Sequence, residues 1–163
     1  MSSATQTELP NLAEILLKLL QRVPREQHPL LIAIAERRAA ERYRSWADDP
    51  AVVAHRGRLL ACADREEEIA HRVEGLHPEA AAVQRGIVAA NPDLDDITRS
   101  LFAGRPLAQQ FAIQAEGERL GAATWRSFGR GASAAARDTF LACAGLEEES
   151  AAVLESILAE WGA

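Results

Sequence analysis

Four glutamates stand among apolar residues at helical spacing. Glu36 shares a stripe with Ile32, Ala39, Tyr43 and Trp46, and Glu118 shares one with Phe111, Ala115, Ala122 and Trp125. Glu66 falls beside Leu59, Ala63, Ala70 and Val73, and Glu147 beside Phe140, Ala144, Ala151, Leu154 and Leu158. An α-helix turns about 100° per residue, so each glutamate is predicted to face inward with its stripe. An unpaired carboxylate is costly to bury, so four of them must take up protons, pair with arginine, or bind cations. A pair of divalent metal ions is the solution that helical bundles are known for. Arg56 and Arg137, near the stripe edges, are the arginine alternative, and Tyr43 and Trp125 could donate hydrogen bonds.

Helices must carry these residues. Alanine and leucine fill most apolar positions and aromatics are few, at 5%, a mix that favours helix over strand. Residues 12–23 (LAEILLKLLQRV) place Leu12, Ile15, Leu16, Leu19, Leu20 and Val23 on one face, ahead of Pro24. This helix covers its own domain or holds a partner or a second copy of the chain. A second helix is predicted over 29–47. Asp48-Asp49-Pro50 ends it and opens a third, with Asp as N-cap and Pro at the first helical position, running to about Gly75. Two weaker helical pieces fill 79–104, split by Asn91-Pro92 and closed by Gly104. Pro106 opens a long helix to about Phe128, and Ser133 caps the last, which reaches Trp161. No segment alternates with a period of two, so the chain is all-α.

The helices repeat. Residues 36–46 (ERRAAERYRSW) align with 118–128 (ERLGAATWRSF), and LACADREEE at 60–68 aligns with LACAGLEEE at 141–149. A helical hairpin cannot bury its apolar face alone, so two copies packing face to face predict a four-helix bundle with a pseudo-two-fold axis. The hairpins are 29–76 and 106–161. Residues 77–105 are a helical crossover, and 1–28 are a polar tail plus the extra N-terminal helix. Within each Glu triplet the first residue faces inward, while Glu68 and Glu149 face water. Counting from a turn at 48–51, Glu36 is level with Cys62 or Ala63, and Glu66 lies one turn further along, which would stretch the site.

Over residues 29–161 this pattern resembles the ferritin-like superfamily of ferritins, bacterioferritins and rubrerythrins. In its metal-binding members each hairpin supplies a Glu from one helix and a Glu-x-x-His from the other. Glu36 with Tyr43, and Glu118 with Trp125, match the first pattern. Glu66 and Glu147 match the glutamates of the second, but Ile69 and Ser150 stand where the histidines should. The only literal Glu-x-x-His, Glu68 to His71, points outward by helix phase. The resemblance implies metal ligands at Glu36, Glu66, Glu118 and Glu147, with Tyr43 as a supporting donor. It also implies a di-iron or di-manganese centre acting on Fe(II) and O₂ or on peroxide. The alternative is a metal-free interaction or assembly module whose site has degenerated.

Other features bound the function. The net charge is −6, and no Lys/Arg cluster is dense enough for nucleic acid. No apolar run is long enough to span a membrane. The N-terminal MSSATQTELP is polar, unlike a signal peptide. Two cysteines without a CxxC read as reduced, buried thiols, which makes the cytoplasm the expected location. His28, His55 and His77 show no ligand spacing and are expected in solvent. Arg37, Arg38, Arg42 and Arg44 read as a solvated helix face.

Overall fold

The computed structural model describes residues 8–163. The polar start of the chain, read above as lacking a signal peptide, lies mostly outside the described residues. Seven α-helices account for the fold: α1 (Leu12–Leu20), α2 (His28–Ala47), α3 (Arg56–Glu74), α4 (Ala80–Ala90), α5 (Leu94–Phe102), α6 (Leu107–Gly129) and α7 (Ala134–Trp161). There is no strand among the described residues. No helix there is long and apolar enough to cross a membrane.

The helix boundaries follow from local chemistry. Asn11 caps α1 by accepting the Glu14 N–H at 3.1 Å, and Ser133 caps α7 by accepting the Ala136 N–H at 3.3 Å. Gly104 and Gly162, at φ +74° and +70°, close α5 and α7 in the left-handed region that glycine enters without strain. Two expectations need correction. The first helix stops at Leu20, because Pro24 disfavours helix in the residues before it, and Val23 turns inward to a separate apolar cluster. Pro50 does not open the third helix. Asp49 accepts the Ala51 N–H at 2.9 Å, but it caps a short 3₁₀ segment, Pro50–His55, kinked at Val52, and α3 starts only at Arg56.

α2, α3, α6 and α7 are the four long helices, and two apolar clusters lie between them. One gathers Tyr43, Trp46, Leu59, Phe111, Leu154 and Ile157. The other gathers Ile32, Ile69, Val73, Trp125, Phe140 and Cys143. Each helix contributes to both, in alternating order. α2 and α7 enter through the second cluster and leave through the first, while α3 and α6 run the other way. The chain is therefore antiparallel within each pair, and α4 and α5 carry it back along the length of the molecule before α6 begins. Bridges tie this return to the body: Arg38 pairs with Asp95 at 2.7 Å and Arg22 with Asp93 at 2.9 Å. α1 lies on α6. Leu12 is buried, Leu16 and Leu20 pack on the second cluster, and Leu17 is left 57% exposed. Most of the leucine stripe thus covers the chain's own core.

Candidate functional site

On every long helix the inward glutamate falls between the residues of the two clusters: Glu36 between Ala33 and Ala40, Glu66 between Ala63 and Ile69, Glu118 between Ala115 and Ala122, Glu147 between Ala144 and Leu154. The result is a carboxyl layer separating two apolar cores. Glu36, Glu66, Glu118 and Glu147 are 7%, 0%, 1% and 1% exposed. The helical stripes thus placed all four correctly.

The layer is compact. Glu36, Glu66 and Glu147 each bring an oxygen within 4.8 Å of the other two. The stretch expected between Glu36 and Glu66 does not occur. The 3₁₀ segment lengthens the connection, so α3 starts only at Arg56, and counting from the middle of residues 48–55 brings Glu36 level with about residue 67 rather than 63. Gly121 contributes on the α6 side. A Cβ there would lie 2.6 Å from Glu147 Oε1, so the bare backbone makes room for that carboxyl.

Neutral donors hold three of the four. Tyr43 donates its hydroxyl to Glu118 Oε1 at 2.6 Å, and Gln114 Nε2 donates to the same oxygen at 2.7 Å. Trp125 Nε1 donates to Glu147 Oε1 at 2.8 Å. Ser150 donates to Glu66 Oε1 at 2.9 Å, across from α7 to α3. Glu66 Oε2 is buried with no hydrogen-bond partner. Glu36 lies against the Glu66 and Glu147 carboxyls. Ser150 and Ile69, where histidines would stand in the resembled pattern, are both fully buried, so those positions do face the interior.

Protonation follows from burial. Desolvation, then the charge of Glu118, raises the Glu36 pKa from 4.5 to about 7. Glu66 and Glu147 are pushed well above the usual carboxylate range, again by burial first and then by neighbouring carboxylates. Protonation lowers the repulsion among these buried carboxyls.

Arginine's part differs from the expectation. Arg56 pairs with exposed Asp48 at 3.4 Å, and the Arg137 stem packs near Gly129, so neither reaches a buried glutamate. Both lie at the ends of their helices, far from the layer. Arg42, read as part of a solvated face, is instead half-buried. Its guanidinium sits 4.1 Å from the Phe102 ring centroid, and Nε donates to Gln114 Oε1 at 3.0 Å. It therefore acts on Glu118 through Gln114. Gln114 lies four residues before Glu118 on the same stripe, which is the signal that could have found it. Arg37, Arg38 and Arg44 do bridge surface carboxylates.

Among the histidines, His28 and His55 are not free in solvent. His28 Nε2 bonds the Val23 carbonyl at 2.9 Å, and His55 packs on Trp161 beside Glu160. His71 is exposed, and Glu68 bridges Arg72 at 2.6 Å on the surface. Cys62 and Cys143 are buried thiols whose pKa values burial raises to about 11 and about 12. Cys62 lies beside the layer, in contact with Ser150 and Tyr43.

No protein-family model, curated protein or solved structure matches this chain.

Proposed function

We propose that the chain is a ferritin-like bundle of two related helical hairpins. In this reading Glu36, Glu66 and Glu147 hold a divalent metal ion, and Glu118 completes the ligand set for a second. The observation that carries it is the orphaned Glu66 Oε2, a buried oxygen on a carboxyl that is grouped with those of Glu36 and Glu147. A buried acceptor without a donor is a group waiting for one, and a cation meets that need. The donor set is carboxylate oxygen throughout, which suits hard ions such as Mn²⁺ and Fe²⁺ rather than thiolate- or imidazole-seeking metals. The residues present therefore fit a metal of the kind the resemblance implies.

The surrounding side chains would set the geometry. Tyr43 and Gln114 fix Glu118, Trp125 fixes Glu147, and Ser150 fixes Glu66 on the oxygen opposite the orphan. Loading the site requires the protons on Glu36, Glu66 and Glu147 to leave, so affinity rises with pH. Bound iron or manganese would supply one-electron and Lewis-acid chemistry toward O₂ or peroxide.

The test is metal content. The protein is reconstituted with Fe(II) or Mn(II), desalted and subjected to elemental analysis, alongside Glu36→Ala and Glu118→Ala. The expected result is about one to two ions per chain in the parent. Glu36→Ala should lose most of its metal, while Glu118→Ala should drop from two ions to one. Near-zero iron, manganese and zinc in the reconstituted parent sinks the reading.

One observation favours a second reading, a metal-free bundle acting as an interaction or assembly module. Burial and mutual repulsion already favour the neutral carboxyls, and three of the four accept neutral donors. In that case Glu66→Gln keeps the network at neutral charge and raises stability while metal content stays at zero.

A further inference from the structure

The carboxyl layer is not sealed on its α6 side. A cavity of about 190 Å³ opens between α1, α2, α5 and α6 and reaches down to Glu36, Glu118 and Glu147. Its walls are apolar: Leu12, Ile15 and Leu19 from α1, Ile97 and Leu101 from α5, and Ile113 from α6. Ile15, Leu19, Ile97 and Leu101 are half-buried and form the rim, while Leu12 and Ile113 are buried deeper. Gly117 and Gly121, one turn apart on α6, both border the space. A Cβ on Gly117 would meet only Leu12 Cδ1, at 3.8 Å, so this stretch of wall is slack. At Gly121 the bare backbone leaves the Glu147 carboxyl open to the cavity.

We propose that this cavity is a binding site for a small hydrocarbon molecule, about six to eight carbons long, with an alcohol or amine at one end. Size sets the first part. An engineered apolar cavity of about 150 Å³ takes up benzene, so this one has room for a chain or ring slightly larger. The walls set the second, since apolar side chains on three helices offer burial but no polar partner for the body of the ligand. The floor sets the third. It holds three carboxyls, Glu36, Glu118 and Glu147, against one cation, Arg42, whose guanidinium is already stacked on Phe102 and bonded to Gln114. A hydroxyl or ammonium group can donate to that floor. A carboxylate would lose its own hydration and compete with three carboxyls for the same few protons. The floor is shared with the metal centre proposed above, but the inference stands without the metal, so it is tested on metal-free protein.

The experiment titrates 1-hexanol, n-hexylamine and hexanoate into the chelator-treated full chain at pH 7.5 by calorimetry. It is repeated with Ile97→Trp and Ile15→Trp, which fill the cavity from opposite walls. Neither residue belongs to a core cluster, and both are only half-buried. Saturable binding of hexanol and hexylamine with a Kd on the order of 0.1–1 mM is expected. Hexanoate should bind at least about tenfold more weakly, and each tryptophan variant should weaken hexanol to a similar degree. A hexanol affinity unchanged in both variants, or no saturable binding of any probe, overturns the proposal. Hexanoate binding as tightly as hexanol overturns the donor-end assignment. Metal-free binding of hexanol together with zero metal uptake would keep this inference and remove the metal reading.

Discussion

Glu118 and Glu147, carried by α6 and α7, receive three neutral donors between them: Tyr43, Gln114 and Trp125. Glu36 and Glu66, carried by α2 and α3, receive one, from Ser150, and otherwise face carboxyls. The two halves of one layer are thus built differently. The α6–α7 half is held in place by amide, phenol and indole groups whose protons do not leave near neutral pH. The α2–α3 half has one such donor, Ser150, and it contains the orphaned oxygen. The donors make the α6–α7 half the fixed wall of the site, while raised carboxyls lie in both halves, at Glu36, Glu66 and Glu147.

The largest test of this contrast is pH. For Glu36 the folded pKa, about 7, lies above the ordinary 4.5, and Glu66 and Glu147 shift in the same direction. A raised acid contributes stability that is full below the unfolded pKa and lost as pH rises toward the folded one. Chelator-treated protein should therefore be more stable to urea at pH 5 than at pH 8. The loss should be about 1.4 kcal/mol per pH unit for each carboxyl forced to ionise within its window. A urea midpoint that is flat or rising over that range would show that burial does not hold these three carboxyls protonated.

Breaking the fixed wall comes next. Trp125→Phe removes the donor to Glu147 and part of a fully buried ring stacked on Phe140, so a cost of about 2–3 kcal/mol is expected in denaturant melts. Gly121→Ala pushes a Cβ against the Glu147 carboxyl, which must move. The expected cost is about 1–2 kcal/mol, with a weaker response to added Mn(II) in thermal shift. Tyr43→Phe is the mildest, at about 1 kcal/mol, because Gln114 still donates to the same Glu118 oxygen. If Tyr43→Phe proved as costly as Trp125→Phe, Gln114 would not be sharing that load, and the fixed wall would rest on single donors.

Much of this layer is legible in the chain. The stripes around Glu36, Glu66, Glu118 and Glu147 single out these four residues, and the same phase assigns Glu68 and Glu149 to the surface bridges they make with Arg72 and Arg65. Asn91-Pro92 and Gly104 mark the breaks around α5. Less legible was anything that depends on how one helix stands beside another. Arg42 has the composition of a surface residue, and only α5 folding over it makes Phe102 its neighbour. Ser150 reads as a missing histidine, yet its hydroxyl serves a glutamate on a different helix.

The sequence by itself determined that the chain is helical and which face of each long helix turns inward, because helix phase is a local property set every few residues. Tertiary structure alone decided the heights at which those faces meet, which donor serves which carboxyl, and the opening of the layer toward the α1–α5 cavity. Register depends on the length of one short 3₁₀ connection. Donor and acceptor pairs such as Tyr43 with Glu118 lie far apart in the chain and meet only when all four helices have packed.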